Sequence, residues 1–464
     1  NRGKDIINTL ETEVYEKTLH IFGDIVLVFI NDYSEDGTKI YNGMSPTKIK
    51  EGKFKYGQEI FTFGFLQNIL AKNMVMFEYV DSRMINWWPY IEDEIGVKDK
   101  KFIYLMELLG DPAGWLSNLL LGVSNLVIKE VRKGNGIIML YGAYEGFEPF
   151  YTNIFESIDK KLTEWNIPFN NFVYVTANQI ADKLYDEWCK ENNKKNKFNI
   201  ICFNDEECHV FWDSRINELP FSPEKYFLCF NRRPHVHRIF LASLLEKNNL
   251  VDKGIISFPD KTFSEGYPSM AELNQKLENL IDPNTQSHGW ELIDGNEDTK
   301  KDMLHYWNKF EKRLPLTVDV DDLSPMLWES FNIEPYKKTF FSVVVEGLVY
   351  ENSVFMDEKI WKVILAKHPF IVVGTSGVLS KLKEFGYKTF HPYINEEYDS
   401  IEDPGKRILA VVEEIKRLCT ISFEEWNNII NELEPILDYN KKWKFERKGG
   451  IDNFVDKIGY LIDK

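Results

Sequence analysis

"DEKIWKVILAKHPFIVVG", residues 357–374, contains one amphipathic helix and one buried strand. Ile360, Trp361, Ile364 and Leu365 recur at helical spacing, and the helix runs over 357–368 until Pro369 removes a backbone donor and stops it. "PFIVVG" (369–374) then gives a short, wholly apolar, β-branched run, which reads as a strand buried on both faces. The segment before it, "FFSVVVEG" (340–347), has the same character. Strand, helix and strand at this spacing predict a parallel sheet covered by helices on both sides.

The alternation extends in both directions. Upstream, "DIVLVFIND" (24–32), "MVMFEYV" (74–80), "NGIIMLYGAYEG" (135–146), "NFVYVTAN" (171–178) and "FNIICFND" (198–205) read as strands. Helical patterns lie at 63–73, 154–166 and 179–193. The apolar run "WLSNLLLGVSNLVI" (115–128) is too short and too interrupted by Ser, Gly and Asn to span a bilayer, so a buried helix explains it better. "DSRINELPFSPEK" (213–225) is polar, holds two prolines and has no period, which marks a domain boundary. The pattern then restarts with "YFLCF" (226–230), a helix at 237–250, "GIISF" (254–258) and helices at 269–281 and 299–313. After 374 come a helix at 377–386, a short strand "KTF" (388–390), a helix at 403–419 and helical segments at 422–437 and 451–463. The fold class expected is α/β, with two Rossmann-like doubly wound domains facing a cleft: 1–215, 222–430, and a helical extension 431–464 able to cross back to the first domain.

A chain of 464 residues suits two cores, and 44% hydrophobic residues are ample to fill them. The net charge of −17 opposes broad binding to nucleic acid or anionic membrane but leaves room for a local basic cleft. Five cysteines without a CxxC pair point to reduced thiols, and Cys202, Cys208 and His209 fit no zinc spacing. With no signal-peptide pattern visible, a cytoplasmic location is expected, the host cytoplasm if the source is viral.

Two stretches carry chemistry. "NRRPHVHR" (231–238) packs Arg232, Arg233 and Arg238 with two histidines into a strand-to-helix turn, the ligand-facing edge of such a sheet. Guanidinium forks match phosphate oxygens, and the helix start adds amide donors; salt bridges to local acids are the plainer use of the same turn. The second stretch places Glu346 at a strand end and Glu358 and Lys359 at a helix start. The helix dipole favours Glu358 there and disfavours Lys359. An anionic phosphate at that end would make the lysine the expected partner. The plainer alternative has Asp357 capping the helix and Lys359 pointing outward.

"FSVVVEG…FMDEKIWKVILAKHPFIVVGTSGVLSKLKEFGYKTF" resembles the nucleotide-sugar half of two-domain, GT-B type glycosyltransferases, most of all the fucosyltransferase-like and exostosin-like enzymes. Asp357 stands where that pattern carries Thr. "GYKTFHPYINEEYDSIEDPGKR" (386–407) is similar to phage and giant-virus members of the same broad group. The resemblance implies that a nucleotide-diphosphate sugar is the co-substrate, with Glu346, Glu358, Lys359, Arg232, Arg233 and Arg238 at the donor site. It implies no resident cofactor. Cationic side chains would stabilise the leaving diphosphate without a metal, and "DVDD" (319–322) reads as a solvated loop rather than a metal motif.

The acceptor is a hydroxyl on a glycan, or on modified DNA in a phage or viral setting, which the net charge disfavours. An inverting reaction needs a general base from the first domain. The candidates are Glu145 and Glu148 in "YGAYEGFEPF" (141–150), then Asp111 in "LLGDPAGW". Trp87 and Trp88 suit a core or a sugar platform, and "KKWKFERKGG" (441–450) reads as a solvated helix-end face. The competing reading is a non-catalytic nucleotide- or glycan-binding protein on the same fold.

Overall fold

The structure is a computed structural model describing residues 26–30, 76–79, 102–108, 116, 120, 123, 125–143, 145–208, 213–232, 234–258, 297–318, 331–349, 352–447 and 450–463. The chain divides into two compact units, Asn1–His209 with Lys448–Lys464, and Val210–Arg447.

The first unit holds a six-stranded sheet of β1 (Val26–Ile30), β2 (Met76–Tyr79), β3 (Phe102–Glu107), β4 (Gly136–Gly142), β5 (Phe172–Thr176) and β6 (Asn199–Cys202), in the order β2-β1-β3-β4-β5-β6. Every neighbouring pair is parallel. Helices α1 (Asn125–Arg132), α2 (Ile154–Trp165) and α3 (Ala181–Glu191) supply the covering layers. Ile154, Phe155, Ile158, Leu162 and Trp165 give α2 a buried stripe at helical spacing. Phe155, Tyr185 and Phe198 interlock beside it, the last two stacked with ring centres 4.2 Å apart. β3 is absent from the strand pattern read above. "FIYLMELLG" is apolar without alternation and rich in Leu, Met and Glu, so periodicity does not separate strand from helix there. Its pairing between β1 and β4 settles the matter.

The second unit holds a four-stranded parallel sheet, β7 (Lys225–Phe230), β8 (Gly254–Ser257), β9 (Thr339–Val345) and β10 (Phe370–Val373), ordered β10-β9-β7-β8. Its helices are α4 (Val236–Lys247), α5 (Glu297–Phe310), α6 (Glu334–Lys337), α7 (Glu358–Leu365), α8 (Val378–Glu384), α9 (Pro404–Leu418) and α10 (Phe423–Arg447). All residues of β9 and β10 are buried, as continuous apolar runs require in a doubly covered sheet. A last helix, α11 (Ile451–Asp463), belongs to the first unit, where Phe454 packs on Phe203 with ring centres 4.6 Å apart.

Both sheets wind alike. Each starts in the interior, adds its second strand on one side and its third and fourth on the other. The winding therefore reverses between β1 and β3 in one unit and between β7 and β9 in the other. Both units are Rossmann-like doubly wound folds, and in such sheets ligands bind beyond the strand ends at the reversal.

Two sequence expectations are corrected. "KTF" (388–390) is not a strand: Asn440 Oδ1 accepts the Lys388 amide at 2.8 Å and Asn440 Nδ2 donates to the Lys388 carbonyl at 2.8 Å. A buried side chain on α10 satisfies the backbone groups that a neighbouring strand would otherwise take. "KKWKFERKGG" is not a solvated face either. Lys444 is buried with its ammonium 5.7 Å from the Trp361 ring centre, and the Arg447 guanidinium lies 3.9 Å from that of Phe385. Their long apolar stems and the ring faces bury together. The helix expected at 269–281 lies outside the described residues.

Candidate functional site

The reversal of the second sheet is where its chemistry gathers. Two connections leave the carboxyl ends of the adjacent strands β7 and β9. The first carries Asn231, Arg232, His235, His237 and Arg238 into α4; the second carries Glu346, Gly347, Asp357, Glu358 and Lys359 into α7. Strands joined in register place these connections side by side, although more than a hundred residues separate them in sequence.

Asp357 is the N-cap of α7. Its backbone is extended, and Oδ1 accepts the Lys359 amide at 2.9 Å. Oδ2 accepts the Gly347 amide at 3.0 Å and the Lys359 ammonium. The same ammonium lies 3.2 Å from Glu358 Oε1. Lys359 therefore folds back over the helix start, where its side chain is about one-fifth exposed, instead of pointing outward. Its pKa is raised: burial pulls it down, but the charges of Asp357 and Glu358 outweigh that.

Glu346 directly follows β9 and is fully buried. Its Oε2 accepts the Asp357 amide at 2.7 Å, while Oε1 finds no donor among the described residues. Burial, and next the negative charge of Asp357, hold the Glu346 carboxyl well above the usual carboxylate range. Once protonated, the Glu346 carboxyl can donate to the Asp357 side chain. Burial also pushes Asp357 upward, but the Lys359 charge and the hydrogen bonds win and leave it below its ordinary value. The neutral carboxyl and the carboxylate thus share one proton beside one lysine. The backbone of Gly374, just past β10, backs onto this group; a Cβ there would sit 3.1 Å from Glu346 Cγ.

From the other connection, His237 Nε2 donates to the Glu346 carbonyl at 3.1 Å, and Arg238 points an amino group at the Val345 and Glu346 carbonyls, each at 3.4 Å. The carbonyl can only accept, so His237 is the Nε2–H tautomer. Burial first, then the Arg238 charge, keep its pKa well below the ordinary value, so it is neutral near pH 7. Arg238 is itself buried. His235 stacks on His237 at the start of α4 and does not cap that helix with its side chain. Its first amides, on Val236 and His237, are left to a partner from outside the helix.

Of the residues proposed from sequence, Arg238, Glu346, Glu358 and Lys359 come together here, with Arg232 half-buried on the β7–α4 connection. Arg233 and Asp111 lie outside the described residues, as do Trp87, Trp88 and "DVDD". Glu145 and Glu148 lie in the first unit, past the end of β4. Glu145 is exposed, and Glu148 accepts the Tyr151 amide, while Asn178 holds the same loop through the Phe147 carbonyl at 3.2 Å. Sequence reasoning offered Asp357 as the cap of this helix, which it is, but passed over its hold on the Lys359 ammonium and the role of His237. Asp357 carried a signal, since Asp before a helix start is a cap. His237 carried none beyond its place in a cationic turn, because its partner is a main-chain carbonyl.

Among the described residues no group of three or more His, Cys, Asp or Glu is arranged to hold a metal ion, and no helix is long and apolar enough to cross a membrane.

No protein-family profile matches the sequence, and no curated protein matches it. Three of the solved structures that resemble the chain are the following. The DNA-modifying enzyme β-glucosyltransferase, studied with and without uridine diphosphoglucose, is 10% identical over 93% of this chain and 100% of its own, with a TM-score of 0.35. The α,α-trehalose 6-phosphate synthase of Burkholderia multivorans is 8% identical over 94% and 96%, with a TM-score of 0.41. Apo UGT2 of Phytolacca americana is 10% identical over 90% and 99%, with a TM-score of 0.28. What the site can do follows from its own residues.

Proposed function

We propose that the protein is a glycosyltransferase whose second unit binds a nucleotide-diphosphate sugar and transfers the sugar to a hydroxyl acceptor. The observation that carries the reading is the meeting of Lys359 with Arg238 of α4 at the sheet reversal, the place where a doubly wound fold receives a ligand, with Arg232 on the connection leading into that helix. The resemblance of the 340–390 segment to nucleotide-sugar domains points the same way.

In this reading the acceptor oxygen attacks the anomeric carbon, the bond to the β-phosphate oxygen breaks, and charge grows on the departing diphosphate. Arg232 and Lys359 stabilise that charge, and the α4 amides add fixed dipoles, so no metal is required of the step. Glu358 accepts ribose hydroxyls in this reading, as the resemblance implies. Glu145 or Glu148 supplies the base if the reaction inverts, with a glycan acceptor favoured over DNA by the net charge of −17.

The competing reading, a protein that holds nucleotide or glycan without turnover, draws on Asp357, whose carboxylate already engages Lys359. Thermal melts with UDP, GDP, CDP and their sugars separate the outcomes. A rise in melting temperature with one nucleotide is expected, and none with any would sink the donor site. Lys359→Ala should weaken nucleotide diphosphate binding about tenfold or more. Binding with neither donor hydrolysis nor transfer would favour the non-catalytic protein.

A further inference from the structure

The lysine at the start of α7 already has its counter-charges before a ligand arrives. Lys359 Nζ contacts Asp357 Oδ2 and lies 3.2 Å from Glu358 Oε1. Asp357 also accepts the amides of Lys359 and Gly347, at 2.9 and 3.0 Å. It is buried, so its charge is little screened. A phosphate approaching this helix end meets a position already held by a carboxylate, on the amide and the ammonium that the phosphate would use.

We propose that Asp357 is a built-in counter-anion that sets the affinity and charge selectivity of the site, standing where a ligand phosphate would otherwise sit at the start of α7. The inference rests on unit 2 being the anionic-ligand domain. Binding at this end exchanges one ion pair for another, and the gain is the difference between them. The diphosphate is thereby directed to the start of α4 and Arg232, with Lys359 reached from its exposed side. A residue that caps without charge would release Lys359 and the Lys359 amide end to a phosphate. The Thr of the resembled pattern is such a residue.

Inorganic pyrophosphate, titrated calorimetrically at low and high salt, tests this. Asp357→Thr keeps a capping oxygen and Asp357→Asn keeps the shape; both remove the charge. Each variant should bind pyrophosphate about tenfold tighter than wild type, with a steeper salt dependence, because a buried like charge has been removed. Glu358→Gln, at the more exposed carboxylate, should change affinity less. Unchanged or weaker binding in folded Asp357 variants overturns the proposal. Failure of both to fold does so too, since Asp357 would then be a structural carboxylate. If neither pyrophosphate nor any nucleotide binds wild type or variants, the nucleotide-sugar reading itself falls. If wild type binds and the Asp357 variants do not improve on it, only the counter-anion role is lost.

Discussion

The amide of Asp357 donates to Glu346 Oε2 at 2.7 Å, so the cap of α7 is anchored on the first side chain after β9. Eleven residues of chain separate the two, and the bond closes that loop against the sheet. Through it the helix start, the strand end and the proton shared by the two carboxyls form one unit.

Glu346→Gln mimics the neutral carboxyl: its oxygen can accept the Asp357 amide and its amino group can donate to the Asp357 carboxylate. Below the unfolded pKa near ~4.3, where Glu346 is neutral in both states, stability should stay within about 1 kcal/mol of wild type and should exceed it as pH rises, whereas Glu346→Ala should cost about 1–3 kcal/mol by stranding the amide. A raised pKa means that the contribution of Glu346 is fully present below the unfolded value near ~4.3 and is lost as pH rises through the folded value. Urea melts across pH should show that decline in wild type and not in the glutamine variant.

His368 is buried, with Nδ1 2.8 Å from Ser342 Oγ and Nε2 2.8 Å from the Thr339 carbonyl. The carbonyl requires a proton on Nε2, so Nδ1 accepts from the serine. Burial drops its pKa to about 4, against a weaker upward pull from the Thr339 hydrogen bond. A depressed value gives stability that is present above the unfolded pKa near ~6.5 and lost as pH falls toward about 4. The loss is on the order of 3 kcal/mol. Denaturation midpoints of His368→Gln should lack this acid limb; an unchanged limb would remove His368 as its source.

Gly386→Ala should destabilise by more than about 2 kcal/mol. Gly386 has φ +90°, and an added Cβ would lie 2.9 Å from Trp443 Nε1. The indole cannot easily retreat, since Nε1 donates to the Phe385 carbonyl at 2.8 Å and the ring stacks on Tyr439. Urea unfolding, with Trp443 fluorescence as a local probe, reads the effect.

Asn440→Ala should cost about 1–3 kcal/mol by leaving the Lys388 amide and carbonyl unmade. Asn440→Asp should recover the bond from the Lys388 amide and not the one to its carbonyl. Hydrogen exchange at the Lys388 amide, faster in the alanine variant, ties the loss to that bond.

Much of the fold was legible because it rests on local pattern. The runs "FFSVVVEG" and "PFIVVG" became β9 and β10 because wholly apolar, β-branched stretches suit only a doubly covered strand. "FIYLME" escaped because apolarity without alternation has no period to read, and "KTF" misled because its backbone bonds go to one distant asparagine.

The site divides in the same way. Sequence alone determined that Glu346 ends a strand, that Glu358 and Lys359 open a helix and that a cationic turn follows β7, since each is a matter of adjacent residues and hydrogen-bond period. Only the tertiary structure decided that β7 and β9 are neighbours, and hence that His237 reaches the Glu346 carbonyl across 109 residues of chain. Burial did the rest. In water Glu346 would be an ordinary carboxylate and Lys359 an outward cation. Packed at the end of a covered sheet, one holds its proton and the other folds back on Asp357, because an unpartnered charge cannot be left without water.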